Sequence, residues 1–289
     1  MKEAFFTGAC TAMVTPFIHG QINYPMAEIL LRRQIDAGIK AVVIAGTTGE
    51  SPTLTDEEKL ELFRRCKSYV GSSCKIIAGT GCNSTVHAVS LSKEAEKCGA
   101  DALLIVSPYY NKATPDGLFA HYLTIAHSVS IPIILYNVPS RTGVDIPVSV
   151  YSRLSYVPNI IGVKEASSDV TKIIKIRNAC KPEFSIWSGN DDLITSVIAM
   201  GGKGVISVLS NIFPEETQAI CSAALTGDIQ RASALQCRMQ PIIDALFSEV
   251  NPIPVKAAMK LLGYDCGGCR LPLCDITEKN NELLKSLLS

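Results

Sequence analysis

Short apolar stretches recur eight times along the chain: Ala9–Val14, Ala41–Ala45, Lys75–Gly79, Ala102–Ser107, Ile131–Asn137, Ile160–Lys164, Phe184–Ser188 and Gly204–Val208. Between them lie segments with helical spacing, among them Asp56–Val70, Val86–Cys98 and Glu215–Leu225. One helix entry is explicit in "LTDEEKLELFRRC", where Thr55 stands at the cap and Glu58, three residues on, completes a capping box. A short apolar run bounded by turns suits a strand buried on both faces, which is what a parallel sheet covered by helices contains. Eight strand-then-helix units predict the α/β class and a (β/α)8 TIM barrel. A doubly wound open sheet is the competing fold, but its phosphate fingerprints GxGxxG and GxxxxGK[ST] are absent. After Gly227 the pattern becomes helical alone, over Arg231–Phe247, Val255–Leu262 and Glu278–Leu288, interrupted by "NPIPV" and a Gly/Cys-rich loop. The expected organisation is a catalytic barrel over residues 1–227 and a small C-terminal helical annex over 228–289.

Charge excludes several partners. The chain of 289 residues holds 27 Lys+Arg and 27 Asp+Glu, so no net field draws it to nucleic acid or to an anionic membrane. It has no Lys/Arg-rich run and no aromatic-basic interleaving. The N-terminal "MKEAFFTGACTAMVTPF" has an acidic residue at position 3 and is broken by Gly8, Thr11, Thr15 and Pro16, so it predicts neither an export signal nor a membrane span. Eleven scattered cysteines, an odd number, are expected to be reduced thiols in a cytoplasm. Cys266, Cys269 and Cys274 form the one cluster, whose spacing suits zinc or a redox pair, or simply free thiols in a loop.

In a (β/α)8 barrel the chemistry sits where the strands end. The strand ends here carry "GTTGES" (46–51), "SPYYN" (107–111), "YNVPSRTG" (136–143), "KEASSD" (164–169) and "SGNDD" (188–192). They gather hydroxyls, phenols, an arginine and a lysine, a set poorly suited to a divalent metal, so the expected chemistry is covalent with no metal and no cofactor. Lys164 ends an otherwise apolar strand, and an unpartnered buried ammonium is disfavoured by several kcal/mol. By strand alternation Gly162, Lys164 and Ala166 share one face, which predicts room for the lysine to swing, while Glu165 shares the other. Burial favours the neutral amine of a lysine, the form that adds to a ketone or aldehyde to give a Schiff base. The alternative is a lysine paired with a carboxylate such as Glu165, or snorkelling to the barrel mouth.

Tyr136 and Thr47 bear on that choice. Imine formation needs a proton taken from the amine and another given to the departing hydroxyl, and a phenol hydrogen-bonded to a hydroxyl can do both. Each alone also suits a plainer role, a core aromatic and a turn hydroxyl. Arg141 lies just past the fifth strand in "VPSRTG", where its planar fork suits an oxo-acid carboxylate or simply solvent.

Taken together, "GTTGES", "SPYYNK", "YNVPSRTG", "IGVKEAS" and "GVISVLSN" resemble the 4-hydroxy-tetrahydrodipicolinate synthase (dihydrodipicolinate synthase) family of pyruvate-dependent class I aldolases, from "GACTAMVTPF" through "NPIPVK". The resemblance implies a lyase of lysine and diaminopimelate biosynthesis that condenses pyruvate with L-aspartate 4-semialdehyde. It implies that Lys164 forms the imine, that Tyr136 relays protons, and that Thr47 links Tyr136 to Tyr110, which reaches in from a neighbouring subunit. It further implies that Thr48 holds the pyruvate carboxylate, Arg141 the aldehyde's carboxylate, and that Gly189 and Ile206 line the pocket. The assembly implied is a homotetramer, a dimer of dimers. Sialic acid lyases of the superfamily typically carry Gly-Ser-Thr-Gly-Glu and lack the "SRTG" arginine, whereas this chain has Thr47, Thr48 and Arg141. Aldolases or dehydratases of oxo-sugar acids, and a barrel that binds an oxo acid without turnover, remain the alternatives.

In lysine-inhibited members lysine binds near the positions of Ser51, Pro52, Asp56, Lys59, Asn83, His87 and Tyr109. Asn83 and Tyr109 match, but His87 stands where a glutamate meets the ligand's amines, and Asp56 and Lys59 stand where histidines do. The expectation is weak or no inhibition by lysine. Asn190 replaces an aspartate common in the family.

Overall fold

The computed structural model describes residues 4–289. Glu3, used above against an export signal, lies outside the described residues. Eight strands close a parallel barrel: β1 (Gly8–Ala12), β2 (Ala41–Ile44), β3 (Lys75–Gly79), β4 (Ala102–Val106), β5 (Ile133–Asn137), β6 (Ile160–Glu165), β7 (Ser185–Ser188) and β8 (Gly204–Ser207). Each pairs with its neighbour in sequence and β8 returns to β1, as the recurrent apolar runs predict. The fifth strand starts two residues later than expected because Pro132 has no amide hydrogen for the ladder, and the sixth runs one further, to Glu165.

The helices of the barrel are α1 (Tyr24–Asp36), α2 (Asp56–Val70), α3 (Thr85–Lys97), α4 (Pro115–Ala126), the short α5 (Pro139–Thr142), α6 (Val148–Leu154), α7 (Val170–Ala179), α8 (Ile194–Ala199) and α9 (Pro214–Leu225). The capping box of α2 is formed as expected, with Thr55 Oγ1 accepting from Glu58 N and Glu58 Oε2 from Thr55 N. A hairpin of Phe17–Ile18 with Gln21–Ile22 follows β1 and was not foreseen. Its turn is carried by His19 and Gly20 at φ 50° and 77°, the pair of left-handed residues a tight hairpin takes, but the strands are too short to show an alternation.

α10 (Ile229–Leu246), α11 (Ile253–Leu261) and α12 (Glu278–Leu288) form the C-terminal helices. The 227/228 division falls in the link between α9 and α10, where Gly227 has φ 86°. α10 packs on α8 and α9, and Gln236 on it donates to the backbone carbonyl of Asp191 at 2.6 Å. Among the described residues no helix is long and apolar enough to cross a membrane.

One buried group makes the fold acid-sensitive. His121 on α4 is buried, with Nδ1 paired to Thr85 Oγ1 at 2.9 Å and Nε2 without a partner among the described residues. Burial lowers its pKa from 6.5 to about 4. The folded state therefore binds this proton less readily than the unfolded chain, so the stability is complete above pH 6.5 and is lost as pH falls towards 4. We expect chemical denaturation to show up to about 3 kcal/mol of acid-linked loss from this group, and His121→Gln to flatten the slope between those pH values. An unchanged slope in that variant would assign the acid sensitivity elsewhere.

Candidate active site

Side chains from alternate strand positions fill the barrel lumen: Cys10 and Ala12 from β1, Ala41 and Val43 from β2, Ile77 from β3, Ala102 and Leu104 from β4, Ile134 and Tyr136 from β5, Trp187 from β7 and Ile206 from β8. Trp187 stacks on Phe6 with ring centroids 4.7 Å apart and closes the lower end. A Cβ at Gly162 would lie 2.8 Å from the Trp187 ring and 2.2 Å from Ser185 O. Gly162 thus makes room for tryptophan and not, as expected, for lysine movement.

Lys164 lies one strand pair from Tyr136 in direct register and is 5 % exposed. Its Nζ sits 4.5 Å from the centroid of the Tyr136 ring, a cation–π contact. Among the described residues no carboxylate pairs with it. Glu165 faces the other way, accepting from Asn137 Nδ2 at 2.7 Å, Ser167 N at 2.9 Å and Tyr151 Oη at 3.1 Å, with Lys172 Nζ at 3.7 Å. That removes the plain reading in which Glu165 neutralises Lys164. Gly189 leaves space above the amine instead, since a Cβ there would stand 3.2 Å from Lys164 Cε and 2.5 Å from Ala166 Cβ. Ile206 is fully buried in the same lumen, level with Cys10 on β1.

Thr47, Tyr136 and Arg141 line one cavity of about 560 Å³ at the strand ends. Thr47 and Tyr136 share that wall without a hydrogen bond between them among the described residues, so the direct link expected from the sequence is not made within one chain. Arg141, on α5, is exposed and pairs with no carboxylate among the described residues. Thr48 is buried, and its Oγ1 accepts from Asn251 Nδ2 at 3.0 Å, which leaves its own hydroxyl proton to be donated. Tyr110 does not join the cavity; it is 86 % exposed and held at φ 75°, a left-handed conformation that costs an aromatic residue about 1–2 kcal/mol.

Ser51, Pro52, Asp56, Lys59, Asn83, His87 and Tyr109 line the same cavity as Thr47 and Arg141. Asp56 is occupied from both sides, with His87 Nε2 at 2.6 Å and Lys59 Nζ at 3.7 Å. Asn190 donates to Ser168 Oγ at 3.0 Å and so laces together the loops after β6 and β7.

The three clustered cysteines part company. Cys266 is buried against Met259, while Cys269 and Cys274 line a separate cavity of about 700 Å³ in the annex. All eleven cysteines are free, and among the described residues no cluster of His, Cys, Asp or Glu could hold a metal ion.

Four residues at the site were not singled out from the sequence. Asp191 is fully buried, with Oδ2 accepting from the amides of Val208 and Leu209 at 2.9 Å each and Oδ1 unpartnered. Burial pushes its carboxyl up, opposed first by the Ser207 hydroxyl, then by the Leu209 and Val208 amides and by the charge of Lys164. Glu50, Asn251 and Lys256 sit in quoted motifs, "GTTGES" and "NPIPVK", where polar residues among apolar ones were the available signal.

A buried amine with no carboxylate pair among the described residues, a phenol ring beside it, and a cavity that this phenol shares with the Thr47 hydroxyl and an exposed guanidinium suit covalent capture of an oxo acid. The model of the dihydrodipicolinate synthetase family matches residues 5–289. A 4-hydroxy-tetrahydrodipicolinate synthase of Acetivibrio thermocellus is 46% identical over 288 residues, covering 100% of this chain and 98% of that one. The solved 4-hydroxy-tetrahydrodipicolinate synthase of Methylacidiphilum fumariolicum SolV superposes with a TM-score of 0.96 at 44% identity, over 98% of this chain and 95% of that one. The structure of the Cyanidioschyzon merolae enzyme with lysine bound gives 0.96 at 40% identity, over 99% and 98%.

Proposed function

The chain belongs to the dihydrodipicolinate synthetase family, and from that premise we propose that Lys164 captures pyruvate as an imine whose enamine attacks L-aspartate 4-semialdehyde. The activity is that of a 4-hydroxy-tetrahydrodipicolinate synthase, a lyase of the class I aldolase type. The observation that carries the mechanism is the buried Lys164 amine, which has no carboxylate partner among the described residues and lies over Tyr136.

The Lys164 amine adds to the ketone carbon of pyruvate, and the carbinolamine hydroxyl leaves as water with a proton from Tyr136. Loss of a methyl proton from the imine gives the enamine, which forms a carbon–carbon bond to the aldehyde carbon, whose oxygen takes up a proton. The acceptor's own amine then attacks the imine carbon, closes a ring and frees Lys164. The covalent bond to Lys164 serves as the electron sink, so this sequence calls for no further cofactor. Thr48, its hydroxyl proton free, binds the pyruvate carboxylate, and Arg141 binds the carboxylate of the aldehyde. Gly189 and Ile206 shape the pocket around the imine. Thr47 connects Tyr136 to Tyr110 of a second copy of the chain. The outward-facing Tyr110 supports a catalytic dimer, and we extend it to a homotetramer of two such dimers. Residues 1–227 act as the catalytic barrel and 228–289 as its annex, and eleven free thiols suit a cytoplasmic enzyme.

Mass spectrometry tests the reading. Pyruvate with borohydride should add a reduced adduct to the peptide holding Lys164, and semialdehyde supplied before the reductant should discharge it. An adduct that survives the aldehyde would favour an oxo-sugar acid as substrate, and no adduct would favour binding without turnover.

Lysine should inhibit weakly or not at all. The cavity that would receive it offers one carboxylate, Asp56, already paired with His87 and Lys59, so a ligand with two ammonium groups meets no free anion. A titration with millimolar lysine that halves the rate would overturn this.

A further inference from the structure

The annex grips the loop that carries Thr47 and Thr48. Glu50, in that loop, is 2 % exposed and sits at φ 56°, a left-handed conformation that an L residue adopts only when its surroundings hold it there. Its Oε1 accepts from Lys256 Nζ of α11 at 2.7 Å, and its Oε2 from the backbone amide of Arg270 at 2.8 Å. Lys256 is equally buried, donating also to Gly268 O at 2.8 Å and lying 4.3 Å from the Phe17 ring centroid. The backbone of Glu50 in turn closes the loop, since its amide donates to Thr47 O at 3.1 Å and the next amide, Ser51 N, to Gly46 O at 3.2 Å. A second grip is direct, from Asn251 Nδ2 to Thr48 Oγ1 at 3.0 Å.

A fully buried ion pair is weak support for stability, because desolvating both ions offsets most of their attraction. Its geometric effect is stronger: two charges that have lost water hold each other at one separation, and the loop between them and the barrel follows. Resting on the function proposed above, we propose that Lys256, acting through Glu50, and Asn251, acting on Thr48, are positioning residues that set where the Thr47 and Thr48 hydroxyls meet pyruvate. Neither touches Lys164 or the reacting carbons. Their loss therefore weakens capture of the keto acid and leaves the aldehyde subsite at Arg141 alone. Asn251 also bears on the Thr48 hydroxyl: as donor to Oγ1 it takes one acceptor site and leaves the hydroxyl proton available to the substrate.

The test uses the full chain as wild type, Asn251→Ala, Asn251→Asp and the paired Glu50→Gln with Lys256→Met, which removes both charges at once and leaves no unpaired ion. Each is read by thermal melting, by KM for pyruvate and for semialdehyde separately, and by the pyruvate dependence of borohydride trapping. We expect Asn251→Ala to raise the pyruvate KM and the half-saturating pyruvate for trapping about tenfold, with the semialdehyde KM within about twofold. Asn251→Asp places an acceptor against Thr48 and should be worse for pyruvate than Asn251→Ala. The paired variant should shift the pyruvate KM in the same direction at a temperature where it is folded. Variants that melt earlier but keep the wild-type pyruvate KM would show that these contacts only stabilise the fold, and the inference would be wrong while the function stands. Absence of an adduct on the wild type would instead overturn the function itself, and this inference with it.

Discussion

Replacing Lys164 by methionine should abolish the pyruvate adduct, lower kcat/KM by about a thousandfold or more, and leave the protein at least as stable as wild type. A thousandfold corresponds to about 4 kcal/mol of transition-state stabilisation, modest for the loss of a covalent route. The stability sign is the more discriminating half. Most large-to-small or charge-removing core substitutions destabilise, but here the removed group is a 5 %-exposed amine that, among the described residues, has no carboxylate within salt-bridge distance. Methionine replaces the aliphatic stem, one atom shorter, packs beside the Tyr136 ring and needs no hydration. A melting temperature that rises or holds while turnover disappears identifies a residue retained for chemistry at a cost in folding energy. A variant that melts several degrees lower would mean that the amine has a structural partner, and residual activity within tenfold of wild type would place the nucleophile elsewhere.

What could be read from the sequence follows from the distance over which its signals act. The barrel was legible because each parallel strand is buried on both faces, which leaves an uninterrupted apolar run such as Ala102–Val106 whatever lies around it. The direction of Lys164 was legible because alternation fixes faces, and Tyr136 and Lys164 do meet in register. The occupant of a face is a different matter. Gly162 signals an absence of side chain, and only the closed barrel shows that Trp187 from the next strand takes the space. The grip on the catalytic loop was invisible for a similar reason: Glu50 and Lys256 are 206 residues apart, Thr48 and Asn251 203. No local pattern announces such pairs. "NPIPVK" read as punctuation between helices because proline and asparagine usually mean that, while its polar ends hold the loop that carries Thr47 and Thr48. Tyr110 poses the converse case, since a single chain shows only that the ring faces outward at φ 75°. A strained backbone that presents an exposed aromatic is what the dimer proposed above would use.

Tyr136→Phe should separate packing from proton transfer at this site. The ring stays, so the contact 4.5 Å from Lys164 Nζ and the filling of the lumen are kept; only the hydroxyl goes. Positioned acid–base groups contribute about 10²–10⁴-fold, and the expected fall in kcat lies in that range. The pyruvate KM should change little, because the function proposed above gives the carboxylate to the Thr48 loop rather than to the phenol. Borohydride trapping carries the sharper signature: the adduct should reach the same final extent as in wild type but form slowly, since dehydration of the carbinolamine has lost its proton donor. Thr47→Val then reports on the relay behind the phenol. With no direct hydrogen bond between the two hydroxyls within one chain, Thr47 can act only through a group that a second copy or the substrate brings between them, so its loss should cost less than that of Tyr136. Equal losses in the two variants, with no further loss on combining them, would instead mean that the hydroxyls work as one unit once the site is assembled. A Tyr136→Phe enzyme that forms the adduct at the wild-type rate would remove the phenol from the proton path and leave the buried carboxylate of Asp191, which feels the charge of Lys164, as the group to replace next.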